Sequence, residues 1–156
     1  MSSKLNERIN FDLDELRQML TEGHDLINAS KSIIPNATNR WALGAMLQAF
    51  YNGIESIFKQ IATKYDGKPA KSQQWHADLL TLMTKATIKR PAVISPELFI
   101  LLKKHLAFRH LFRSIYTHEL HWENMTELVW GSEETLRLCE NELRGFMENI
   151  QSANPE

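Results

Sequence analysis

The sequence predicts an all-α protein, an antiparallel bundle of about five helices. Three observations support this. Apolar residues recur at three- and four-residue intervals through most of the chain, no stretch sustains the period-two alternation of a strand, and breakers such as Pro35, Pro69 and Pro91 fall between the periodic runs. With 156 residues the chain is expected to form one domain, 1–156, with a core that needs neither disulfide nor structural metal, and flexible tails at 1–9 and 151–156.

The first helix is expected from Asn10 to about Ser30, with acids in its first turn and Leu13, Leu16, Leu20 and Ile27 on one face. Pro35 and Asn36 break the pattern. Thr38 or Asn39 can cap a second helix carrying Trp41, Met46, Leu47, Phe50, Ile54, Ile57, Phe58 and Ile61, ended by Asp66-Gly67-Lys68-Pro69. Ser72 can start a third, with Trp75, Leu79, Leu80 and Met83 inward, closed by Arg90-Pro91. Ser95-Pro96 opens a fourth in the favoured order of capping serine and first-turn proline, with Leu98, Leu101, Leu102, Phe108, Phe112 and Ile115 on its apolar side. The last, about Asn124 to Ile150, buries Leu128, Leu136, Cys139, Leu143, Phe146 and Ile150. No internal repeat appears, and six scattered glycines do not make a phosphate-cradling loop.

Composition narrows the function. A single cysteine, Cys139, excludes an internal disulfide and a cysteine-rich metal site, and its place on an apolar helical face points to packing. The N-terminus lacks a signal-like apolar run and no stretch approaches the roughly 20 apolar residues of a membrane span, so a soluble, cytoplasmic protein is expected. The glycosylation patterns at Asn28, Asn36 and Asn124 are then without consequence. Net charge is only −1, but Lys plus Arg against Asp plus Glu is 6 to 7 over residues 1–63, 10 to 3 over 64–118, and 2 to 9 over 119–156. Between Glu97 and Glu119 no acid interrupts Lys103, Lys104, Arg109 and Arg113. That pattern suits a phosphate-facing surface, and equally a basic segment packed against the acidic C-terminal one.

Chemistry concentrates in the fourth helix, Phe108-Arg109-His110-Leu111-Phe112-Arg113-Ser114-Ile115-Tyr116-Thr117-His118. At about 100° per residue, His105, Arg109, Arg113 and Tyr116 share a sector of roughly 80°, whereas His110, Ser114 and His118 lie about 100–180° from Arg109. One straight helix cannot bring both stripes to one small substrate. Either they serve different ends, or two copies of the helix converge across a two-fold axis. His118 and His121 are three apart, not the four of a zinc-protease helix, and the di-iron Glu-x-x-His pattern is absent, so no metal ligand is assigned. His76, beside Trp75, reads as a hydrogen-bonded packing residue. Glu55, among apolar neighbours, calls for a cationic partner, with an arginine of the fourth helix as the candidate.

The stretch Phe108 to Tyr116 resembles the signature helix of HepT-like proteins, a branch of the HEPN superfamily of helical ribonucleases. Tyr51-Asn-Gly-Ile-Glu55-Ser-Ile-Phe-Lys-Gln-Ile-Ala62, Asp66-Gly67 and Trp75-His76-Ala-Asp-Leu-Leu80 resemble the same branch, so the likeness covers about residues 40–122. The family pattern is Arg, four residues, His, one residue, Tyr. Here Arg109 takes the arginine and Tyr116 the tyrosine, but Ser114 stands where the histidine belongs; the register Arg113 to His118 keeps the spacing and loses the tyrosine.

The resemblance implies a HEPN-like bundle and metal-independent RNA cleavage, without cofactor, in a cleft between two protomers. In that chemistry the 2′-hydroxyl attacks the adjacent phosphate, a histidine moves the proton, and arginine stabilises the developing charge. Serine cannot replace histidine in this, being too weak an acid and too weak a base near neutral pH. His110 and His118, each one turn from Ser114, are the candidates to supply the imidazole. The catalytic set implied is therefore Arg109, His110, Ser114, Tyr116 and His118, with Lys103, Lys104 and Arg113 on RNA phosphate. The resemblance also implies an MntA-type nucleotidyltransferase antitoxin that silences the protein by transferring AMP to Tyr116. The alternative is a catalytically impaired module that binds RNA, a nucleotide or a protein partner.

Overall fold

The computed structural model describes residues 3–67, 72–114 and 120–153. Six α-helices and one short 3₁₀ turn pack round a single apolar core, with no strand among the described residues.

Helix α1 (Lys4–Glu22) starts earlier than the Asn10 expected, because Ser3 caps it: the Ser3 Oγ accepts from the Asn6 amide at 3.2 Å. Ile9 is thereby buried with Leu13, Leu16 and Leu20. The expected single first helix is broken at Gly23, and α2 (His24–Ser30) follows. A Cβ at residue 23 would lie 2.9 Å from the Met46 sulfur, so a side chain there would require that of Met46 to shift.

That helix, α3 (Ala37–Tyr65), is the axis of the bundle and packs against every other helix. Its cap is Asn36, whose Oδ1 accepts from the Asn39 amide at 2.8 Å, in place of the expected Thr38 or Asn39. Phe50, Tyr51, Ile54, Ile57 and Ile61 are wholly buried, as befits a helix apolar on more than one side. Trp41 departs from the inward place expected of it, lying near one end of α3, half exposed against Phe112 at 5.6 Å between ring centroids.

Helix α4 (Trp75–Leu82) begins after Ser72 and stops well before the expected Arg90-Pro91. The reason lies in Arg90 itself. Its buried guanidinium donates to the carbonyls of Leu82 (3.2 Å), Lys85 (2.8 Å) and Pro91 (3.0 Å), and its Nε to Asp66 Oδ2 at 3.0 Å. A cation folded back on carbonyls at a helix end satisfies acceptors that another helical turn would otherwise have to satisfy. The amides of Val93 and Ile94 both donate to the Met83 carbonyl, completing the turn into the next helix.

Helix α5 (Pro96–Ser114) carries the motif stretch. Its start is pinned as the Ser95-Pro96 pair predicts: Ser95 Oγ accepts from the Leu98 amide at 3.2 Å and donates to Glu142 Oε2 at 2.9 Å. At the other end Gly44 of α3 lets Phe112 approach to within 2.6 Å of where a Cβ would be. After the 3₁₀ turn Trp122–Asn124, α6 (Thr126–Ala153) closes the bundle with Val129, Leu136, Cys139, Leu143 and Phe146 inward. The Cys139 thiol is buried, which raises its pKa well above the ordinary range and leaves it a packing group. No helix among the described residues is long and apolar enough to cross a membrane.

Candidate functional site

Helix α5 lies against α3, α4 and α6, so its faces meet different chemistries. Arg109, one of the cations of the pattern that suits a phosphate-facing surface, is turned into the core together with His105. His105 is 2% exposed, with its ring 5.0 Å from that of Phe50, and burial lowers its pKa to about 4. Arg109 is 8% exposed; its Nε donates to Asn52 Oδ1 at 2.7 Å, and its Nη1 is buried without a hydrogen-bond partner. The hydroxyl of Tyr51, fully buried one residue before Asn52, is likewise unpartnered. Burial raises the Tyr51 pKa, the carboxylate of Glu55 adds to the rise, and the charge of Arg109 opposes it, so these three groups share one electrostatic neighbourhood.

Glu55 does meet a cation-forming group, but not the expected arginine. His76, brought by α4, donates from Nδ1 to Glu55 Oε2 at 2.7 Å, with side chains 12% and 5% exposed. A carboxylate only accepts, so Nδ1 carries the proton of this ring. Trp75 stacks on His76 with centroids 3.6 Å apart, and Lys59 Nζ sits 4.2 Å from the centre of the Trp75 ring. The exposed ring of His110 stands edge-on to His76 at 6.0 Å. Thus α3 supplies Tyr51, Asn52 and Glu55, α4 supplies His76, and α5 supplies Arg109 and His110, around one polar junction.

Ser114 is exposed on the last turn of α5, its Oγ donating back to the His110 carbonyl at 2.9 Å and lying 3.1 Å from that of Leu111. Arg113 is exposed beside it. Tyr116 and His118 lie outside the described residues. Of the lysines expected on phosphate, Lys104 is paired with Glu127 of α6 at 2.7 Å, in keeping with the alternative that the basic segment packs against the acidic one. Lys103 is exposed, its Nζ 5.8 Å from the Phe99 ring centre. Exposed pairs of this kind stabilise little, and Lys104 remains able to exchange partners.

The sequence therefore located the motif helix but missed the residues that complete it. Asn52 gave no signal of its own. Glu55 and His76 were each visible as half-buried polar groups, and only the packing of α4 on α3 and α5 makes them a pair. Among the described residues no three His, Cys, Asp or Glu side chains gather as metal ligands. What the junction offers is a buried guanidinium, an imidazole held by a carboxylate and a second, exposed imidazole: the parts of acid–base and charge-stabilising chemistry on an anionic ester.

A family model described as HepT-like protein matches residues 42–150, most of the chain and all of α4 and α5. No curated protein and no solved structure matches. The chain belongs to the HepT-like family of the HEPN superfamily.

Proposed function

We propose that this protein is the RNA-directed component of a toxin–antitoxin pair, a metal-independent endoribonuclease that acts as a homodimer on single-stranded or loop RNA. The observation that supports this best is the junction of Arg109, Asn52, Glu55, His76 and His110 on the family's motif helix. Single-stranded segments are the substrate expected, because their 2′-hydroxyls and splayed bases are accessible. Arg109 stabilises charge on the phosphoryl oxygens. His110, or His118 from the same stripe, supplies the imidazole that Ser114 does not, and Lys103, Lys104 and Arg113 hold flanking phosphates. Transfer of AMP to Tyr116 by an MntA-type nucleotidyltransferase would add bulk and negative charge beside these cations and exclude RNA.

A second reading is a catalytically impaired module that keeps RNA, nucleotide or protein binding without cleavage. It is favoured by Ser114, whose hydroxyl is turned onto its own helix backbone.

Single-turnover cleavage of mixed RNA in EDTA separates the two. The natural protein is expected to cleave, Arg109→Ala to lose at least about 10²-fold in rate, and Ser114→His to equal or exceed the natural rate. An inert natural protein beside an active Ser114→His would establish the second reading. If neither cleaves, the enzyme reading fails. For regulation, a matching nucleotidyltransferase and ATP should add the mass of one AMP to the peptide carrying Tyr116, and an unmodified peptide would exclude that control.

A further inference from the structure

A histidine that only packs needs one hydrogen bond and a snug place. His76 has more than that. Its Nδ1 is bound at 2.7 Å to a carboxylate that is itself almost wholly buried on another helix, and its ring is clamped by Trp75, which Lys59 covers in turn. A buried carboxylate on one ring nitrogen fixes the tautomer and the orientation, leaving Nε2 with a free lone pair. Nothing among the described residues occupies that Nε2. Nearby stand the edge-on ring of His110 and, one residue before it on α5, Arg109, whose Nη1 has no partner.

We propose that His76 is a catalytic residue of RNA cleavage, accepting the 2′-hydroxyl proton on Nε2 while Glu55 holds the ring. This rests on the ribonuclease reading above and adds a second imidazole, the base, to the one that His110 supplies there. In the step, the 2′-oxygen forms a bond to the adjacent phosphorus and the bond from phosphorus to the 5′-oxygen breaks. The 2′-hydroxyl proton passes to His76, and the departing 5′-oxygen takes a proton from the imidazolium of His110. The products are a 2′,3′-cyclic phosphate and a 5′-hydroxyl, and both imidazoles reset by exchange with water. Arg109 offsets the charge that builds on the phosphoryl oxygens. Glu55 acts through His76 and is a positioning residue.

The test is single-turnover cleavage of a single-stranded RNA in EDTA, run beside binding of a strand of the same sequence that lacks 2′-hydroxyls and cannot be cleaved. His76→Asn keeps an amide donor for Glu55 but has no titratable nitrogen. It is expected to lose cleavage by about 10²-fold or more while binding the uncleavable strand as the natural protein does. Glu55→Gln should slow cleavage by about tenfold or more, which decides the matter if His76→Asn does not fold. Imidazole added to His76→Ala should restore part of the rate, a response that a packing role would not give. A folded His76→Asn or Glu55→Gln cleaving at the natural rate would overturn the proposal and leave the ribonuclease reading standing with another base. A natural protein that binds RNA but leaves it intact would overturn both.

Discussion

Replacement of Arg90 by alanine is expected to lower the unfolding free energy by about 3–5 kcal/mol and Tm by roughly 6–20 °C. The side chain of Arg90 is wholly buried and that of Asp66 nearly so, and the guanidinium also holds the carbonyls of Leu82, Lys85 and Pro91. Truncation leaves a buried carboxylate without its partner and takes the guanidinium donor from three carbonyls, of which, among the described residues, only that of Leu82 keeps another, the Lys85 amide, in a place that water reaches poorly. The same substitution releases the end of α4, so the loss should be accompanied by faster amide exchange through Trp75–Leu82. Asp66→Asn should cost less, since an amide oxygen still accepts from Nε. Thermal and urea unfolding of the three proteins would check this. A loss under about 1 kcal/mol for Arg90→Ala would mean that water replaces the guanidinium at little cost and that the contact is peripheral to the fold.

Acid should destabilise the protein through His105 before most carboxylates titrate. The unfolded imidazole takes its proton near pH 6.5, whereas burial holds the folded one down to about 4. The folded state therefore keeps this ring neutral, and its contribution to stability is fully present above about pH 6.5. As the pH falls from there toward 4, the unfolded chain binds a proton that the folded chain refuses, and the contribution is progressively lost. Between pH 7 and pH 5 the loss amounts to about 2 kcal/mol. His105→Leu keeps an apolar side chain against Phe50 and removes the titration, so its urea midpoint should change less over that interval by a corresponding amount. Equal pH dependence in the two proteins would show that His105 takes up its proton without unfolding anything. All the other histidines are retained in the variant, so the difference isolates His105.

The helices were legible wherever the pattern is local. The spacing of Leu13, Leu16 and Leu20, the Ser95-Pro96 start and the inward face of Leu136, Cys139 and Leu143 all stand where periodicity and capping put them. Failures came where a distant part of the chain decides. Where the first helix is interrupted, the Met46 side chain of α3 packs within 2.9 Å of a Cβ position at Gly23, and where α4 ends, Arg90 returns to the Leu82 carbonyl while bound to Asp66. Neither event has a signature within the segment it changes.

The candidate site divides in the same way. The sequence by itself determined the all-helical fold, the family, the motif helix and the serine that occupies the place of the histidine, because these depend on residue type and on spacing along one chain segment. The tertiary structure alone decided that Arg109 faces inward to Asn52, that the partner of Glu55 is His76, and that His76 stands beside His110. Those pairings join residues from three helices, and helical spacing says which groups share a face but not which neighbour that face will meet. Burial then sets their chemistry: the contacts that lower His105 and strip Arg109 of water arise only when α5 is packed against α3.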